Sequence, residues 1–334
     1  MLQINNMSQI EPPLSHGRTN LPKSETVLHQ SPAYEKGKAV PSAHSACAVV
    51  VTFYPGPDLI SNLNLLSRQV EHIVIVDNGS SATTLSVVDQ ARDQFHCTVI
   101  HNENNLGIAA ALNLGSQWAL SQGYSWVALF DQDSTVTEAY IEQMLSEYDA
   151  HPQRARVAMI APRYKDRNTN NISEPLFMAK DGAPLEVMTS GSLISVSVFQ
   201  TCGWFREDFF IDQVDHEFSF RLRDFGYIVI MCPRAILLHS PGSPRQHTVL
   251  RVISFWATHH SVGRRYYMTR NSIVMVQRYW RTYPGWAFYT CRSLLVVIPA
   301  KIILVEEQRW KKLKNIACGL VDAIRGNMGR RVGL

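Results

Sequence analysis

Between residues 46 and 136, short apolar runs alternate with stretches that carry apolar residues at helical spacing. Uninterrupted apolar runs predict strands that are covered on both faces, and a 3.6-residue spacing predicts amphipathic helices. The predicted strands are Cys47–Phe53, His72–Val76, Cys97–His101 and Val127–Phe130. Because each strand alternates with a helix, this region predicts an α/β fold with a Rossmann-like, doubly wound, mostly parallel sheet.

Polar side chains stand where three of these strands end. They are Thr52, Asp77 with Asn78, and Asp131 with Asp133. Parallel strands end at the same edge of a sheet, and open α/β sheets bind their ligands there. The three groups are therefore expected to converge on one crevice.

Asp131 and Asp133 have the spacing of a cation site. On an extended backbone, residues i and i+2 point to the same side, and two such carboxylates repel each other unless a cation lies between them. Mg²⁺ that carries a diphosphate is a suitable occupant. The alternative is that both residues are turn and helix-cap residues. A dinucleotide site is excluded, because the first strand–helix turn, Tyr54–Asp58, has neither a GxGxxG pattern nor a phosphate-loop lysine.

The second half of the chain continues with mixed elements. The pattern predicts a helix over Thr137–Tyr148, a strand over Val157–Ala161 and an irregular polar stretch over 163–181. Gly191 opens a further predicted strand, where a glycine often marks the close approach of a ligand. An aromatic and acidic segment, 203–212, then runs into a helix with an apolar stripe.

Composition and charge divide the chain unevenly. Residues 1–44 are rich in Ser, Pro, Asn, His and Lys and predict a disordered extension. The net charge of the chain is +4. From Arg264 onward there are 14 Lys and Arg and three acids, a net charge of +11, so the rest of the chain carries −7. A basic tail indicates an anionic partner, either a membrane or a nucleic acid. The six cysteines form no CxxC pair, which favours reduced thiols in a cytoplasmic protein.

The basic tail, residues 264–334, contains two apolar stretches. Ala287–Val305 is apolar but carries Arg292, Pro299 and Lys301, which argues against a membrane-spanning helix. Trp310–Ile324 has apolar residues at helical spacing with basic residues between them. This pattern fits an amphipathic helix on an anionic membrane and equally a helix packed on the preceding domain with a solvated basic face.

Several motifs, in order, resemble glycosyltransferase family 2. They are Thr52-Phe53-Tyr54, Val76-Asp77-Asn78-Gly79-Ser80, Asn104-Asn105-x-Gly107, Asp131-Gln132-Asp133 and Val214-Asp215-x-Glu217-Phe218. More narrowly, Phe130-Asp131-Gln132-Asp133-Ser134, Phe210-Ile211-Asp212 and Arg265-Tyr266-Tyr267-x-x-Arg270-Asn271 are similar to bacterial rhamnosyltransferases of polysaccharide assembly, that is, of O-antigen or capsule. The resemblance covers residues 46 to 330, and the N-terminal extension has no counterpart in it.

The resemblance implies a GT-A fold over residues 45–263, with the nucleotide half extending to about residue 135, followed by the helical tail. It implies that Asp77 reads a pyrimidine base beside Thr52, and that Asp131 and Asp133 hold the diphosphate through Mg²⁺ or Mn²⁺. The implied nucleotide-sugar site consists of Thr52, Tyr54, Asp77, Asn78, Asn105, Gly107, Asp131, Gln132, Asp133 and Gly191.

The resemblance also implies that Asp215 is the catalytic base, with Glu217 as its assistant. Direct displacement at an anomeric carbon needs one carboxylate within reach of the acceptor hydroxyl. The leaving diphosphate needs its charge neutralised, and a metal does this well. The structural alternative for Asp215 is a helix N-terminal acid that is favoured by the helix dipole.

The predicted function is inverting, metal-dependent transfer of L-rhamnose from dTDP-L-rhamnose to a saccharide acceptor. Two alternatives remain open: the same chemistry with another nucleotide sugar, such as a UDP-hexose, or a non-catalytic nucleotide-sugar-binding subunit. Retention of Asp131, Asp133 and Asp215 together argues against the second alternative. A lipid-linked acceptor favours an anionic membrane as the partner of the tail, and no nucleic-acid partner is expected. The expected location is cytoplasmic, on the inner face of the cell membrane.

Overall fold

A mixed eight-stranded sheet forms the centre of the protein in the computed structural model. The structure describes residues 45–167, 170–239, 245–249, 253–257, 260–331 and 333, with backbone only for 239, 245–249 and 253–257. The predicted disordered extension, 1–44, lies outside the described residues. The strands are β1 (Ala46–Thr52), β2 (His72–Asp77), β3 (Thr98–His101), β4 (Trp126–Asp131), β5 (Thr135–Val136), β6 (Val157–Asp166), β7 (Leu193–Ser195), β8 (Ile228–His239), β9 (Arg245–Val249) and β10 (Ile253–Ala257).

The order of strands in the sheet is β3-β2-β1-β4-β7-β6-β8-β5. The first four strands are parallel to one another, as predicted, and β7 joins β4 and β6 in antiparallel pairing. β6 and β8 are parallel, and β5 closes the far edge against β8 in antiparallel pairing. β9 and β10 form a separate antiparallel pair.

Helices cover both faces of the sheet. They are α1 (Asp58–Leu66), α2 (Ala82–Phe95), α3 (Ile108–Ser121), α4 (Tyr140–Ala150), α5 (Ser197–Cys202), α6 (Val214–Asp224), α7 (Val262–Tyr279), α8 (Pro284–Arg292), α9 (Ile298–Val305) and α10 (Arg309–Arg325). Short 3₁₀ turns occupy Arg154–Arg156 and Glu207–Phe209, and a π-helical turn, Ser293–Val297, joins α8 to α9.

Two apolar cores lie on opposite faces of the sheet. One face of β1 packs against α3, where Gly115 stands so close that an added Cβ would lie 2.3 Å from the Val49 side chain. The other face packs against α1, α2 and α4 through residues such as Leu63 and Met144. With both faces covered, β1 is buried along its whole length, which explains its continuous apolar sequence.

Two predicted segments differ from the structure at their boundaries. The helix predicted from Thr137 begins at Tyr140, because Thr135 and Val136 form strand β5 against β8. The irregular stretch predicted from residue 163 is partly strand, since β6 runs on to Asp166 in parallel pairing with β8. In both places strand pairing with a distant partner, which is invisible in the local pattern, determines the structure.

The first part of the basic tail belongs to the main core. On α7, Met275 and Tyr279 are buried in the same cluster as the strands of the nucleotide half, and Trp286 at the start of α8 joins them. Helix α10 packs against α7 so closely that a Cβ at Gly319 would lie 2.6 Å from the Tyr266 carbonyl oxygen. The predicted boundary at residue 264 therefore does not separate two packing units.

A long apolar helix follows α7. Residues Pro284–Val305, here called the apolar surface helix, combine α8, the π-helical turn and α9. By length and composition alone, this helix qualifies as a candidate membrane span, and little of it is buried.

Candidate active site

The carboxyl ends of three neighbouring strands bring the first predicted site residues together. In the register of the sheet, Thr52 on β1 stands beside Asp77 on β2, and Val51 stands beside Asp131 on β4. Asp77 is 1% exposed and Thr52 is fully buried. The predicted convergence of strand ends on one edge is therefore present in the structure.

Asp77 is held in one orientation by hydroxyl and backbone donors. Its carboxylate accepts hydrogen bonds from Thr52 Oγ1 at 3.1 Å, from the Ser80 amide at 3.1 Å and from Ser80 Oγ at 2.5 Å. His101 Nδ1 lies 3.8 Å away. Burial alone would raise the pKa of Asp77, but His101, Ser80 and Thr52 hold it below its usual value. The result is an ionised carboxylate fixed at the edge of the crevice.

Two aromatic rings stand exposed beside Asp77. Phe53 and Tyr54 follow β1, and their ring centroids lie 4.5 Å apart in edge-on contact. The Tyr54 amide donates to Ser80 Oγ, and the Phe53 amide donates to Gln132 Oε1, both at 2.8 Å. These bonds tie the turn to both neighbouring strand ends, and flat exposed rings at this position provide a stacking surface for a planar ligand.

Asn78, Asn105 and Gly107 form a hydrogen-bonded clip. The Asn78 amide donates to Asn105 Oδ1 at 3.2 Å and to the Gly107 carbonyl at 3.1 Å, while its oxygen accepts from the Leu106 amide. Gly107 has φ +89°, and a Cβ there would lie 2.5 Å from the Phe210 carbonyl. The clip therefore holds the loop before α3 against the segment that carries the later acidic motif.

The Asp131-Gln132-Asp133 turn is supported from two sides. The Asp131 amide donates to Ser190 Oγ at 3.1 Å, and the Gln132 carbonyl accepts from Asn62 Nδ2 at 3.0 Å. Asp133 is exposed, and its carbonyl accepts from Arg167 Nη2 at 2.8 Å. The turn presents two carboxylates at the end of β4, which is separated by β1 from the strand end that carries Asp77.

Gly191 lies directly behind this turn. Its amide donates to the Leu129 carbonyl at 2.6 Å, and a Cβ at this position would lie 2.6 Å from the Tyr140 hydroxyl oxygen. The neighbours that leave no room for a Cβ at Gly191 are protein atoms, and the predicted approach of a ligand to this glycine stays a prediction.

A strained loop carries the second acidic region. Phe210, Asp212 and Gln213 all have positive φ values, between 64° and 65°, a conformation that costs free energy for residues other than glycine. Arg270 on α7 donates to the carbonyls of Asp208 and Phe209, and Asn271 donates to those of Phe209, Ile211 and Asp212. Both side chains are fully buried, so α7 clamps this loop in place.

Asp215 lies in the first turn of α6, immediately after the clamped loop. Its carboxylate accepts from the His216 amide at 2.9 Å, and its Oδ2 lies 3.9 Å from His216 Nε2. On the other side of the imidazole, Nδ1 lies 3.3 Å from Glu186 Oε1. Burial disfavours the charged imidazole, but Asp215, Glu186 and Asp212 together raise the pKa of His216 to about 9. His216 is therefore a cation next to the predicted base.

Arg264 at the start of α7 connects the acidic groups. It forms a bidentate pair with Asp212, with Nη2 2.9 Å from Oδ1. Burial disfavours the charge, yet the hydrogen bonds that Arg264 donates to Asp212 and the charges of Asp212, Asp215 and Asp131 raise the pKa of Arg264 above its ordinary value. Arg264 thus contacts Asp212 and feels the charges of the candidate metal ligand and the candidate base, which indicates that both carboxylates face the same region.

Glu217 lies outside this site. Its side chain is 2% exposed and receives Arg221 Nε at 3.1 Å and Nη2 at 2.9 Å, while Arg221 also donates to the carbonyls of Cys202 and Trp204. A helix turns by about 200° over two residues, so Glu217 points away from Asp215. The sequence-based role of Glu217 as a catalytic assistant is corrected here to a buried ion pair that fixes α6.

The family of the chain follows from comparison with known sequences. Residues 47–211, which include Thr52, Asp77, Asp131 and Gly191, match the model of "Glycosyl transferase family 2". This region of the chain is a glycosyltransferase family 2 domain. The chain is also 26% identical over 302 residues to the dTDP-rhamnosyl transferase RfbF of Shigella flexneri, covering 84% of this chain and 96% of that protein.

A second curated relative matches a shorter region. The galactofuranosyltransferase GlfT1 of Mycobacterium tuberculosis is 29% identical over 138 residues, which is 40% of this chain and 43% of that protein.

Solved structures identify the fold of this glycosyltransferase as GT-A. S. aureus TarS 1–349 superposes with a TM-score of 0.54 at 13% identity, covering 84% of this chain and 81% of that one. The mannosyltransferase PcManGT from Pyrobaculum calidifontis, solved with GDP-Man and Mn²⁺, superposes with a TM-score of 0.53 at 16% identity, covering 84% and 75%. The expected α/β architecture with a helical C-terminal region is thereby confirmed.

Sequence reasoning missed four side chains around the site. His216 adjoins Asp215, Glu186 contacts His216, Arg264 pairs with Asp212, and Phe53 follows Thr52 at the strand end beside Asp77. Phe53 and His216 lie inside motifs that pointed to their neighbours. No local signal marks Glu186 or Arg264, because each reaches the site from an element distant in sequence.

Proposed function

We propose that this glycosyltransferase moves L-rhamnose from dTDP-L-rhamnose to a hydroxyl of a saccharide acceptor, with inversion at the anomeric carbon. The observation that carries the donor assignment is the match to a dTDP-rhamnosyl transferase along 84% of this chain. The geometry supports nucleotide-sugar transfer, because a fixed anionic carboxylate, an acidic pair and a further carboxylate lie around one sheet edge.

The nucleotide base is proposed to bind beside Asp77. Its ionised oxygens accept hydrogen bonds, and a pyrimidine presents a ring N–H as a donor. Thr52 and Ser80 orient the carboxylate, while Phe53 and Tyr54 offer flat surfaces for the base or ribose. In this proposal Asn78, Asn105 and Gly107 act indirectly, by shaping the loop that closes the pocket.

Asp131 and Asp133 are proposed to hold Mg²⁺ or Mn²⁺. The donor set fits such an ion, since hard divalent cations take one or two carboxylates together with phosphate oxygens and water. Within the residues that the structure describes, no group of three or more His, Cys, Asp or Glu side chains is placed to hold a metal. Phosphate oxygens and water would therefore have to complete the coordination of the ion. When bound with the donor, the ion would neutralise the leaving diphosphate.

Asp215 is proposed as the general base. It would accept the proton of the acceptor hydroxyl while that oxygen attacks the anomeric carbon and the nucleoside diphosphate leaves. The Asp215 carboxylate is partly exposed beside the His216 imidazole, 3.9 Å from its Nε2, and this position leaves it open to an acceptor hydroxyl. Glu186 lines a cavity of about 160 Å³ with Tyr164, Pro184 and Met188, next to His216, where an acceptor sugar could be held.

The acceptor is proposed to be lipid-linked and to be extended at the cytoplasmic face of a membrane during polysaccharide synthesis. Support comes from the charge of +11 from Arg264 onward and from the exposed apolar and basic residues of α10, among them Trp310 and Lys314. Anionic lipids attract such residues, and the attraction decays over a Debye length.

A panel of nucleotide sugars tests the donor assignment. The purified protein should consume dTDP-L-rhamnose in preference to UDP-glucose, UDP-galactose or GDP-mannose. Consumption of the sugar nucleotide should stop in excess chelator and resume when Mg²⁺ or Mn²⁺ is added. Full activity in chelator would overturn the metal assignment and would leave arginines such as Arg264 to neutralise the diphosphate.

A different donor is the second candidate. The 138-residue match to a galactofuranosyltransferase has a higher identity, 29%, than the rhamnosyltransferase match, although it covers 40% of the chain. Consumption of a UDP-sugar in the same panel, with dTDP-L-rhamnose untouched, would favour that reading.

A further inference from the structure

We propose that the apolar surface helix, Pro284–Val305, lies in the plane of an anionic membrane leaflet and does not cross it. This inference rests on the proposed lipid-linked acceptor and adds the surface through which the enzyme would meet that lipid. The partner is the bilayer itself, recognised by apolar side chains surrounded by basic ones.

The outward face of this helix is unusually apolar for an exposed surface. Phe288 is 73% exposed, Val296 61% and Leu304 60%. Leu295 and Ile303 are also exposed, and Trp310 and Ile324 extend the apolar surface onto α10. An exposed apolar patch of this kind marks an interaction site more often than chance.

Both ends of the helix are fixed to the catalytic domain. At the start, the buried Trp286 donates from Nε1 to Glu186 Oε1 at 2.8 Å and packs against Phe220. At the end, the buried Glu306 accepts from Arg265 Nη2 at 2.6 Å and from Lys312 Nζ at 2.7 Å. Glu306, just after the helix, therefore links it to both α7 and α10.

The middle of the helix is also attached. Leu294 is buried against Ile273 of α7 and Ala323 of α10, and Ile298 packs beside them. The apolar surface helix and α10 thus form an outer layer on α7, and the residues opposite these contacts face away from the catalytic core. The layer has one outward side that a flat surface can contact.

This attachment decides between lying on a bilayer and crossing it. A helix of 22 residues is about 33 Å long, enough to cross the hydrocarbon core. Crossing would place the two ends on opposite sides of the membrane, whereas here both ends and the middle contact one body. The exposed Arg292 agrees with an in-plane position, because an arginine can keep its charge among the headgroups while its methylenes contact apolar groups.

Charge favours an anionic leaflet as the occupant. Arg292 on the apolar surface helix and Arg309, Lys311, Lys314 and Arg325 on α10 are exposed around the apolar residues. Helices with this combination bind at membrane interfaces through buried apolar area and through attraction to anionic lipids.

The location of the helix has a consequence for catalysis. Trp286 contacts Glu186, Glu186 contacts His216, and His216 adjoins Asp215. The first turn of the apolar surface helix is therefore separated from the proposed base by the side chains of Glu186 and His216. An acceptor sugar on a lipid held at this surface would arrive near Asp215.

Flotation with lipid vesicles tests binding. The full chain should float with vesicles of phosphatidylcholine and phosphatidylglycerol. A variant with Phe288→Ser, Val296→Ser and Ile303→Ser should bind at least about tenfold more weakly, because the apolar area that enters the interface is lost. Phe225→Ser is the matched control, because Phe225 is also an exposed phenylalanine but lies at the end of α6. This variant should bind like the parent. Equal flotation of the triple variant, or none by the parent chain, would overturn the proposal.

Depth measurements test the orientation. A dye placed by Phe288→Cys, Val296→Cys or Leu304→Cys, with Cys291 and Cys318 replaced by Ser, should be quenched equally by lipids labelled near the headgroup. The other four cysteines are buried. Deep quenching at residue 296 with shallow quenching at 288 and 304 would mean that the helix crosses the bilayer. If the parent chain is a dimer without lipid and the triple serine variant is a monomer, a second copy of the chain occupies this face and the proposal is wrong.

Activity separates this proposal from the proposed function. Transfer of rhamnose to a soluble saccharide by a chain that does not float would overturn the membrane surface alone. Flotation by a chain that uses no dTDP-L-rhamnose would overturn the donor assignment alone.

Discussion

Asp77 and Asp215, the central carboxylates of the two candidate regions, stand in different surroundings. Asp77 is almost fully buried and accepts hydrogen bonds from Thr52 and Ser80, both within 25 residues of it in sequence, and His101 lies 3.8 Å away. These groups hold the pKa of Asp77 below its usual value. Asp215 is partly exposed, accepts a hydrogen bond from the His216 amide and lies 3.9 Å from the imidazole. The first arrangement suits a group that recognises a ligand, and the second leaves a carboxylate open to a substrate hydroxyl.

The two environments also depend on different distances along the chain. The partners of Asp77 lie on adjacent strands of the parallel sheet, whereas Arg264 and Glu186 reach the Asp215 region from α7 and from the loop before β7. The region of the proposed base therefore includes groups contributed by the C-terminal helices.

The largest expected effect comes from Asp215→Asn, which keeps the shape of the side chain and removes its basicity. Turnover should fall by roughly two to four orders of magnitude, while donor affinity changes little. Initial rates and titration with dTDP-L-rhamnose measure the two quantities. Asp224→Asn at the other end of α6 is the control and should retain near-parent turnover. Near-parent turnover by Asp215→Asn would mean that another group is the base.

Arg270→Lys breaks the clamp that holds the strained loop before Asp215. Lysine keeps the charge but cannot reproduce the contacts of Arg270 with the carbonyls of Asp208, Phe209 and Gly329. Unfolding free energy should fall by about 3 kcal/mol, because buried acceptors lose charged donors.

Arg278→Lys provides the control on the same helix. Arg278 is exposed and pairs with Asp224 at 3.1 Å, so its replacement should change the unfolding free energy by less than about 1 kcal/mol. Denaturant unfolding of both variants measures the difference. Equal effects would contradict the clamp.

Much of the fold could be predicted from the sequence, because apolar periodicity and turn residues determine the strands and helices of the nucleotide half. The role of Glu217 could not be predicted, since its sequence motif does not show that it forms a buried ion pair with Arg221. The clamp by Arg270 and Asn271 was visible as a motif without a physical role. Its role depends on α7 lying against a loop some sixty residues earlier in the chain, and such pairings leave no local pattern.

Asp77→Asn tests the recognition half of the comparison. Replacing the carboxylate removes a charged acceptor, so KM for the donor should rise about tenfold to a hundredfold with a smaller change in kcat. Asp89→Asn, an exposed acid on α2, should leave both constants unchanged. If kcat falls and KM stays constant, Asp77 acts in the chemical step and the division of roles between the two carboxylates is wrong.

The smallest expected effect is a pH dependence of stability from His216. Its pKa is raised from 6.5 to about 9 by Asp215, Glu186 and Asp212. The stabilisation is therefore complete below pH 6.5 and is lost as the pH rises through about 9. The parent should exceed His216→Gln in unfolding free energy by on the order of 2 kcal/mol at pH 6, and this advantage should shrink by pH 9.5. A constant difference across this range would show that His216 is not charged in the folded protein.

The identity and stereochemistry of the transferred sugar test the central claim most directly. The purified protein is incubated with dTDP-L-rhamnose, a saccharide acceptor and Mg²⁺, and the new glycosidic linkage is examined by NMR. The account predicts a rhamnosyl product with the anomeric configuration opposite to that of the donor, and no such product from Asp215→Asn. A product with retained configuration, or transfer from a UDP-hexose with dTDP-L-rhamnose left intact, would contradict it.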